Sequence, residues 1–187
     1  MHELLIKNMV CFRCILAVEN LLKERGITFE KVTLGKVLLQ KPLSPDQFGQ
    51  FEQGIKYLGF EVLKTKEVQK IEQIKNLFHQ LLMEGDIPSS LVVSQYIRQH
   101  IPWDYTNLSQ LFSSIEGITI EKYFINLKIE KSKELLFYQE KNISEIAYQL
   151  GYSSVQHLSA QFKKVTGMTP TAYKQLKLKP RKALDQI

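Results

Sequence analysis

The chain of 187 residues contains two cysteines, Cys11 and Cys14, which lie three positions apart in the stretch NMVCFRC. Two thiols at this spacing can chelate a soft metal ion or act as a redox pair. The N-terminal stretch lacks the long apolar core of a secretory signal peptide, so we expect a cytoplasmic protein, in which such thiols are ligands or redox groups rather than a structural disulfide. The four histidines show no ligand spacing relative to the cysteines.

The composition is that of an ordinary globular protein. Apolar residues make up 44% of the chain and charged residues 24%, which argues against a disordered main state. No run of 18 or more apolar residues occurs, so the sequence predicts no membrane-spanning helix. The sequence contains no phosphate-binding loop and no nucleophile–base set, and we therefore expect a protein that is not an enzyme.

The net charge of +6 arises from the C-terminal part of the chain. Residues 141–187 contain eight Lys and Arg against two Asp and Glu, whereas residues 66–140 contain eight against ten and residues 1–65 contain nine against seven. A basic block of this kind indicates a polyanionic partner, most simply nucleic acid. Because a solvated surface gives the same pattern, charge alone leaves both interpretations open.

The most informative feature is an internal repeat at a constant offset of 50 residues. The stretch TNLSQLFSSIEGITIEKYF aligns without a gap with QHLSAQFKKVTGMTPTAYK, and the matched positions include leucine, phenylalanine, glycine and tyrosine. The offset continues upstream, where Ser94 and Gln99 recur as Ser144 and Gln149. We interpret this repeat as a duplicated structural unit.

Each copy predicts two helices joined by a tight turn. In the second copy, ISEIAYQL predicts a short helix and Gly151 predicts the turn that follows it. Ser153 is the predicted cap of a second helix, which runs to about Val165 and ends before Gly167. Apolar residues that recur on one stripe of each second helix should pack inward: Leu108, Phe112 and Ile115 in the first copy, and Leu158, Phe162 and Val165 in the second.

The opposite stripe of each second helix is polar, with short side chains and amides first and lysines later in the second copy, an order that suits base edges and then phosphates. A helix, a turn and a second helix with a polar outer face form a helix-turn-helix. A helical stretch from about Ile120 to Phe137 would join the two copies and hold them at a fixed separation. An all-helical domain without a ligand is the alternative for one unit, but two in tandem favour DNA binding. The outward residues are Thr106, Asn107, Gln110, Ser113 and Ser114 in the first copy, and Ser153, Gln156, Ala160, Lys163 and Lys164 in the second, with His157 at the margin.

The stretch NISEIAYQLGYSSVQHLSAQFKKVTGMTPTAYK resembles the signature of AraC/XylS-type transcription regulators in its I-A…G-Y element, its F-K-K and its G-x-T-P-x-x-Y. The resemblance covers about residues 70–175 and implies an all-α, two-lobed DNA-binding domain of about seven helices. The first copy departs from the second because Ile101-Pro102 replaces Gly151-Tyr152, so its turn must be built differently. On matching positions the resemblance implies base contacts from Thr106, Ser109 and Gln110 in the first recognition helix, and from Val155, Gln156, Ser159 and Ala160 in the second.

Residues 1–65 show a different pattern, in which strands and helices follow each other as βαββαβ. ELLIK, ITFEKVTL, KVLLQ and FEVLK are the predicted strands, and CILAVENLLKERG and SPDQFGQFEQGIKYLG the predicted helices. This order implies a ferredoxin-like α+β sandwich. Cys11 then lies in the first loop and Cys14 in the first turn of the first helix, where the helix dipole and Arg13 favour thiolates. The predicted inner stripes are Ile15, Val18 and Leu22 in the first helix, and Phe48, Phe51, Ile55 and Leu58 in the second.

The pattern Met9-x-Cys11-x-x-Cys14, with this layout and length, resembles the heavy-metal-associated domain of copper chaperones and metal-transport ATPases. The resemblance covers residues 1–65 and implies that Cys11 and Cys14 bind Cu(I) or another soft ion, with Zn(II) less favoured. The sequence departs from that family where Asn8 replaces a glycine and Val10 a threonine. A fold kept for dimerisation with inherited cysteines, and a redox dithiol, are the alternatives.

Two hypotheses follow for the whole chain. The first is a bacterial, nucleoid-associated transcription regulator with a metal-sensing domain at residues 1–65 and a DNA-binding domain at residues 66–187. Its partners would be double-stranded promoter DNA, RNA polymerase if it activates, and a second copy if it dimerises, without a membrane. The second hypothesis is a copper-handling chaperone whose helical half docks to proteins. KEVQKIEQIKNLFHQLLMEGDIPSS should couple the two parts as a helix, and the basic tail KLKPRKALDQI could add phosphate contacts.

Overall fold

The computed structural model describes residues 2–63, 66–176 and 180–182, so most of the basic tail lies outside the described residues. The chain forms two compact units, one ending at Asn76 and the other beginning at Leu77. The division falls inside a helix, α3 (Lys66–Glu84), and the domain boundary predicted after residue 65 corresponds to the start of that helix. None of the described helices is both long and apolar enough to cross a membrane.

The first unit has the element order βαββαβ that the sequence predicts. Its sheet has the strand order β2-β3-β1-β4, and each neighbouring pair is antiparallel. The central strand β1 therefore separates β3 from β4, although α2 connects these two along the chain. The elements are β1 (His2–Lys7), α1 (Phe12–Glu24), β2 (Phe29–Thr33), β3 (Lys36–Leu39), α2 (Pro45–Tyr57) and β4 (Glu61–Val62).

The core of the first unit lies between the sheet and one face of each helix. Ser44 starts α2 with a reciprocal capping box to Gln47, which satisfies backbone groups that a helix start leaves unpaired. Leu58 was predicted on the inner stripe but is 39% exposed. Helix α2 ends at Tyr57, and Leu58 is the C-cap residue, so its side chain does not continue the buried stripe of the helix. The other predicted inner residues meet the expectation: Val18, Leu22, Phe51 and Ile55 are fully buried, and Ile15 and Phe48 pack partly buried against them.

Three contacts hold the first half of α3 against the rest of the first unit. The buried Glu72 carboxylate accepts a hydrogen bond of 3.1 Å from the backbone N–H of Asn8, and Gln69 donates to the Leu63 carbonyl at 2.9 Å. The Asn76 side chain lies so close to Gly35 that a Cβ there would be 1.8 Å from its Nδ2. The helix is thus fixed both to the loop before α1 and to the turn between β2 and β3.

The second unit repeats itself structurally with the same offset of 50 residues. The starts of α4, α5 and α6 recur at α7, α8 and α9, and the glycine after α5, Gly117, recurs as Gly167 with the same left-handed backbone. The duplicated unit predicted from the sequence is therefore confirmed. The helices are α4 (Val93–His100), α5 (Tyr105–Glu116), α6 (Ile120–Tyr138), α7 (Ile143–Gln149), α8 (Val155–Thr166) and α9 (Pro170–Lys174).

An aromatic pair lies at the same place in both copies. Phe112 of α5 meets Tyr123 of α6 edge to face with 5.5 Å between ring centroids, and Phe162 of α8 meets Tyr173 of α9 at the same distance. Leu108 and Leu158 are fully buried as predicted. Ile115 was predicted inward but is 46% exposed, because it lies in the last turn of α5, where the chain turns away at Gly117, and its counterpart Val165 is half-buried.

The turn between α7 and α8 leaves no room for a side chain at Gly151. Its φ is +70°, and a Cβ would lie 2.8 Å from Cγ2 and 2.9 Å from the carbonyl oxygen of Ile87. Gly167 has a φ of +81° but nothing within 4 Å of the same position. A side chain at Gly167 would therefore cost backbone strain alone, whereas a side chain at Gly151 would cost backbone strain and a steric clash.

We expect Gly167→Ala to cost about 1–2 kcal/mol of unfolding free energy, because alanine is strained in the left-handed region. Gly151→Ala should cost about 1–3 kcal/mol more, because the added methyl also overpacks the Ile87 contact. Urea unfolding followed by the fluorescence of Trp103, the single tryptophan of the chain, measures both values in the second unit. Equal losses for the two variants would contradict the steric assignment.

Helix α6 is joined to the second copy through Lys128, whose ammonium lies 4.0 Å from the centre of the Tyr152 ring. Burial lowers the pKa of Lys128 to about 8, while the negative face of the ring opposes this shift by favouring the charged form. Tyr152 is fully buried, and its hydroxyl donates to Gln161 at 2.9 Å. The contact holds the turn before α8 against the long helix.

Because the folded pKa of Lys128 is below the unfolded value, stability should rise as the pH increases from about 8 towards 10.5. The free energy of unfolding of the wild type should therefore gain about 1–2 kcal/mol relative to Lys128→Met between pH 7 and pH 10. Urea unfolding at several pH values, with the exposed Lys164→Met as control, checks this. A difference between wild type and Lys128→Met that does not change with pH would contradict it.

Candidate nucleic-acid interface

The start of α8 is set by Ser154 and not by Ser153, which corrects the predicted cap. The Ser154 hydroxyl accepts the backbone N–H of His157 at 3.1 Å, as an N-cap serine does. Tyr152 is still part of the preceding turn, since its N–H reaches the carbonyl of Ala147 at 2.9 Å. Ser153 remains exposed, with its hydroxyl 3.4 Å from Nδ1 of His157.

The solvent side of α8 carries the residues that the sequence assigned to DNA. The predicted inner residues Leu158 and Phe162 anchor the opposite side, so the orientation of the helix is fixed by burial. Val155 and Ser159, which only the family resemblance suggested, are half-buried at the margin of this face. The structure thus brings together one continuous exposed strip, which consists of Ser153, Gln156, Ala160, Lys163 and Lys164.

Helix α5 presents the equivalent strip in the first copy. Its N-cap is Asp104, whose carboxylate accepts the backbone N–H of Asn107 at 3.0 Å. The Ser114 hydroxyl donates to the carbonyl of Leu111 at 2.8 Å. Among the predicted contact residues, the exposed ones are Thr106, Asn107, Gln110 and Ser114, and the half-buried ones are Ser109 and Ser113.

The two turns differ, as the sequence predicted. In the first copy Ile101 ends α4 in an extended conformation, and the N–H of Trp103 donates to its carbonyl at 2.8 Å. In the second copy Gly151 turns through the left-handed region instead. Since α5 and α8 nevertheless start 50 residues apart, two different turns present equivalent helices.

A three-residue contact at the start of α5 was not predicted from the sequence. The Tyr105 hydroxyl hydrogen-bonds the Glu121 carboxylate, and the guanidinium of Arg98 lies 5.6 Å from the centre of the Tyr105 ring. Burial raises the pKa of the Tyr105 hydroxyl, and the hydrogen bond and negative charge of Glu121 raise it further. These residues lie on three different helices, so their spacing in the sequence carries no signal of the contact.

The two thiols of the first unit lie at the start of α1. Cys11 is the N-cap residue but makes no side-chain capping hydrogen bond, and its Sγ lies 3.5 Å from Sγ of Cys14. Serine, threonine, aspartate and asparagine are the side chains that cap helices well, so a thiol here is not chosen for helix stability. Both cysteines are free and partly exposed.

The two thiols differ in acidity. Burial raises the pKa of the Cys11 thiol, but hydrogen bonds from Cys14 and Arg13 outweigh burial and hold this pKa below its ordinary value. Burial also raises the pKa of Cys14, and the charge of the neighbouring Cys11 adds to this, so that pKa lies above its ordinary value. The expectation that both thiol pKa values are lowered is therefore met at Cys11 only.

The loop before the thiols contains Asn8 at the position where the resemblance implies a glycine. Asn8 has a φ of +71°, a conformation that glycine adopts freely and asparagine tolerates. Met9 is fully buried in the core of the first unit. Within the described part of the chain, no group of three or more His, Cys, Asp or Glu side chains could hold a metal ion. The donor set offered by α1 is thus two sulfurs.

This donor set fits a soft ion. Two sulfurs bound to a tetrahedral ion at 2.3 Å lie about 3.8 Å apart, close to the separation of the Cys11 and Cys14 thiols. Thiolates also suit Cu(I), which accepts few ligands.

Comparison with known proteins finds a helix-turn-helix family and several transcriptional regulators that this chain resembles. A family described as a helix-turn-helix domain matches residues 104–176. The HTH-type transcriptional regulator ArgR of Pseudomonas aeruginosa is 28% identical over 90 residues, which are 48% of this chain and 27% of that protein. The probable transcriptional regulator LumQ of Photobacterium leiognathi is 35% identical over 63 residues, which are 34% of this chain and 25% of that protein. The matches thus cover about a quarter of these relatives' own length.

A solved structure has the same fold in this region. The C-terminal domain of AraT, a response regulator from Geobacillus stearothermophilus, superposes with a TM-score of 0.52 at 22% identity, covering 64% of this chain and 94% of that one. The two copies of helix, turn and exposed second helix agree with this likeness. Residues 104–176 therefore match a helix-turn-helix domain, and the chain is similar in sequence to HTH-type transcriptional regulators.

Proposed function

We propose that this protein is a sequence-specific DNA-binding transcription regulator whose two helix-turn-helix units contact one bipartite site. The observation that carries the proposal is the duplication of an exposed polar helix on the same buried Phe–Tyr pair, at Phe112–Tyr123 and Phe162–Tyr173. The match of residues 104–176 to a helix-turn-helix domain and the similarity of the chain to transcriptional regulators support the same function.

The exposed strips have the chemistry that duplex DNA requires. Amides and hydroxyls early in each helix, such as Gln156 and Asn107, can donate to and accept from base edges in the major groove. Lys163 and Lys164 follow at the end of α8, where ammonium groups can contact phosphates. If α6 spaces the two recognition helices by about 34 Å, one duplex turn, both can enter successive major grooves from one side.

The partners follow from this function. Double-stranded promoter DNA is the ligand, RNA polymerase is a partner if the protein activates, and a second copy is a partner if the protein binds as a dimer. The setting would be the bacterial cytoplasm at the nucleoid, and no catalysis is required. The alternative of a copper chaperone with a protein-docking helical half is less supported, because the relatives of that half are transcriptional regulators.

We further propose that the first unit is a ferredoxin-like, heavy-metal-associated-type domain that senses a soft metal ion. Cys11 and Cys14 would hold Cu(I), or less favourably Zn(II), as a two-sulfur chelate. A bound ion regulates DNA binding only if it favours one conformation of the protein over another. The hydrogen bond from Asn8 to Glu72 supports such regulation, because it links the loop before the thiols to α3.

The first prediction of this function concerns specificity. Gln156→Ala should cost about 1–3 kcal/mol of binding free energy at one base position and little elsewhere, because an amide early in the recognition helix can bridge N6 and N7 of adenine. Gln175→Ala, an exposed glutamine after α9, is the matched control and should leave the profile unchanged. Binding to a site library in which each position is varied measures both. An unaltered Gln156→Ala profile would remove this residue from base recognition.

The second prediction concerns the thiols. The wild type should bind one Cu(I) per chain under reducing conditions, and the bound ion should change the affinity for the operator. The Cys11→Ser/Cys14→Ser variant should fold normally, lose the ion and lose its effect on DNA binding, because both sulfur ligands are gone. Competition with a copper chelator gives the stoichiometry, and operator titrations with and without copper give the coupling. Stoichiometric binding without a change in DNA affinity would refute the sensor but not the metal site.

A further inference from the structure

The two helix-turn-helix units can be compared position by position, because their elements coincide at an offset of 50 residues. The recognition helices α5 and α8 begin at Tyr105 and Val155, and both are followed by a glycine in the left-handed region. The same Phe–Tyr packing orients both helices. A difference in charge between equivalent positions is therefore a difference between two equivalent surfaces.

The two recognition helices carry opposite charges. From Asp104 to Gly117 the first has two acidic residues and no basic one, whereas from Ser154 to Gly167 the second has two basic residues and no acidic one. The two lysines Lys163 and Lys164 are both exposed and replace a pair of serines, Ser113 and Ser114. The wider units follow the same trend, with two basic and three acidic residues at 92–124 and three basic and one acidic at 142–174.

The surroundings of α5 contain two cations, the exposed Arg98 and the half-buried Lys122, but the three carboxylates of Asp104, Glu116 and Glu121 outnumber them. Arg98 is placed over the Tyr105 ring, and the Tyr105 hydroxyl is hydrogen-bonded to the exposed Glu121, which has Thr171 as its counterpart. Lys122 follows Glu121 directly and is half-buried. The carboxylate of Asp104 at the start of α5 is exposed, while its counterpart in α8 is the neutral Ser154.

We propose that the two units contribute differently to DNA binding: α8 adds sequence-independent affinity through phosphate contacts to the base contacts it makes, whereas α5 depends on base contacts and has little affinity of its own for non-cognate DNA. This inference rests on the proposed function. Lysine–phosphate contacts release counterions and do not depend on sequence. Carboxylates close to phosphates oppose docking, so α5 would dock only where base contacts by Thr106, Asn107 and Gln110 offset the repulsion.

Two pairs of exchange variants test the division in the full-length chain. Lys163→Ser/Lys164→Ser gives α8 the neutral residues of α5, and Ser113→Lys/Ser114→Lys gives α5 the lysines of α8. Asp104→Asn removes the carboxylate from the first cap, and Ser154→Asp introduces one at the second. All four side chains at the two cap positions are good N-caps, so both helix starts are retained.

On a random-sequence duplex, Lys163→Ser/Lys164→Ser should flatten the dependence of log K on log salt by about 1–2 units and weaken binding. Ser113→Lys/Ser114→Lys should steepen that dependence and bind the random duplex more tightly, which lowers the ratio of operator to random affinity. Asp104→Asn should raise affinity for the random duplex, and Ser154→Asp should lower it. Circular dichroism of each variant verifies that the helices are intact.

The operator itself provides a second readout. The bases of the half-site under α8 and of the half-site under α5 are scrambled in separate operators. The DNA under α8 should stay protected in a footprint when its own half-site is scrambled, whereas the DNA under α5 should lose protection. Equal responses of the two units to the exchanges, or equal loss of protection at either half-site, would overturn the division while leaving the proposed function in place. A wild type without salt-dependent binding to any duplex would overturn both.

Discussion

The orientation of the two recognition helices depends on one packing interaction that occurs twice. A phenylalanine in the middle of each recognition helix meets a tyrosine of the following helix edge to face, in the pairs Phe112–Tyr123 and Phe162–Tyr173. All four rings are buried, so rotation of either recognition helix would expose a large apolar surface to water. The outward direction of the polar strips is a consequence of this burial, and it does not depend on the identity of the polar residues.

Helix α6 is the element on which both copies rely. It supplies the tyrosine of the first aromatic pair, stacks Phe124 on Phe78, and places Lys128 against the Tyr152 ring before α8. Its buried carboxylate Glu130 receives Lys133 at 2.5 Å and the backbone N–H of Lys182 from the C-terminal segment at 3.1 Å. Because α6 contacts both copies between Tyr123 and Glu130, it can hold the two recognition helices at a constant separation.

Much of this arrangement was determined by the sequence by itself. The repeat at an offset of 50 residues required two copies of one structure, since equal residues at equal spacing have the same local preferences and the same buried stripe. Periodicity likewise identified the inner residues Leu158 and Phe162, the order βαββαβ of the first unit, and the position of both thiols around the start of α1. The dissimilar turns at Ile101 and Gly151 were also visible, because only glycine turns readily through the left-handed region.

Other features were decided only by the tertiary structure, because they depend on contacts between residues far apart in the chain. The N-cap of α8 is Ser154 and not Ser153, because Tyr152 is buried and still belongs to the preceding turn. Ile115 and Leu58 are exposed because they lie at the ends of their helices. The contact of Arg98, Tyr105 and Glu121 and the hydrogen bond from Asn8 to Glu72 link separate elements. The unequal acidity of the two thiols depends on burial and on backbone hydrogen bonds, which the spacing of the cysteines does not specify.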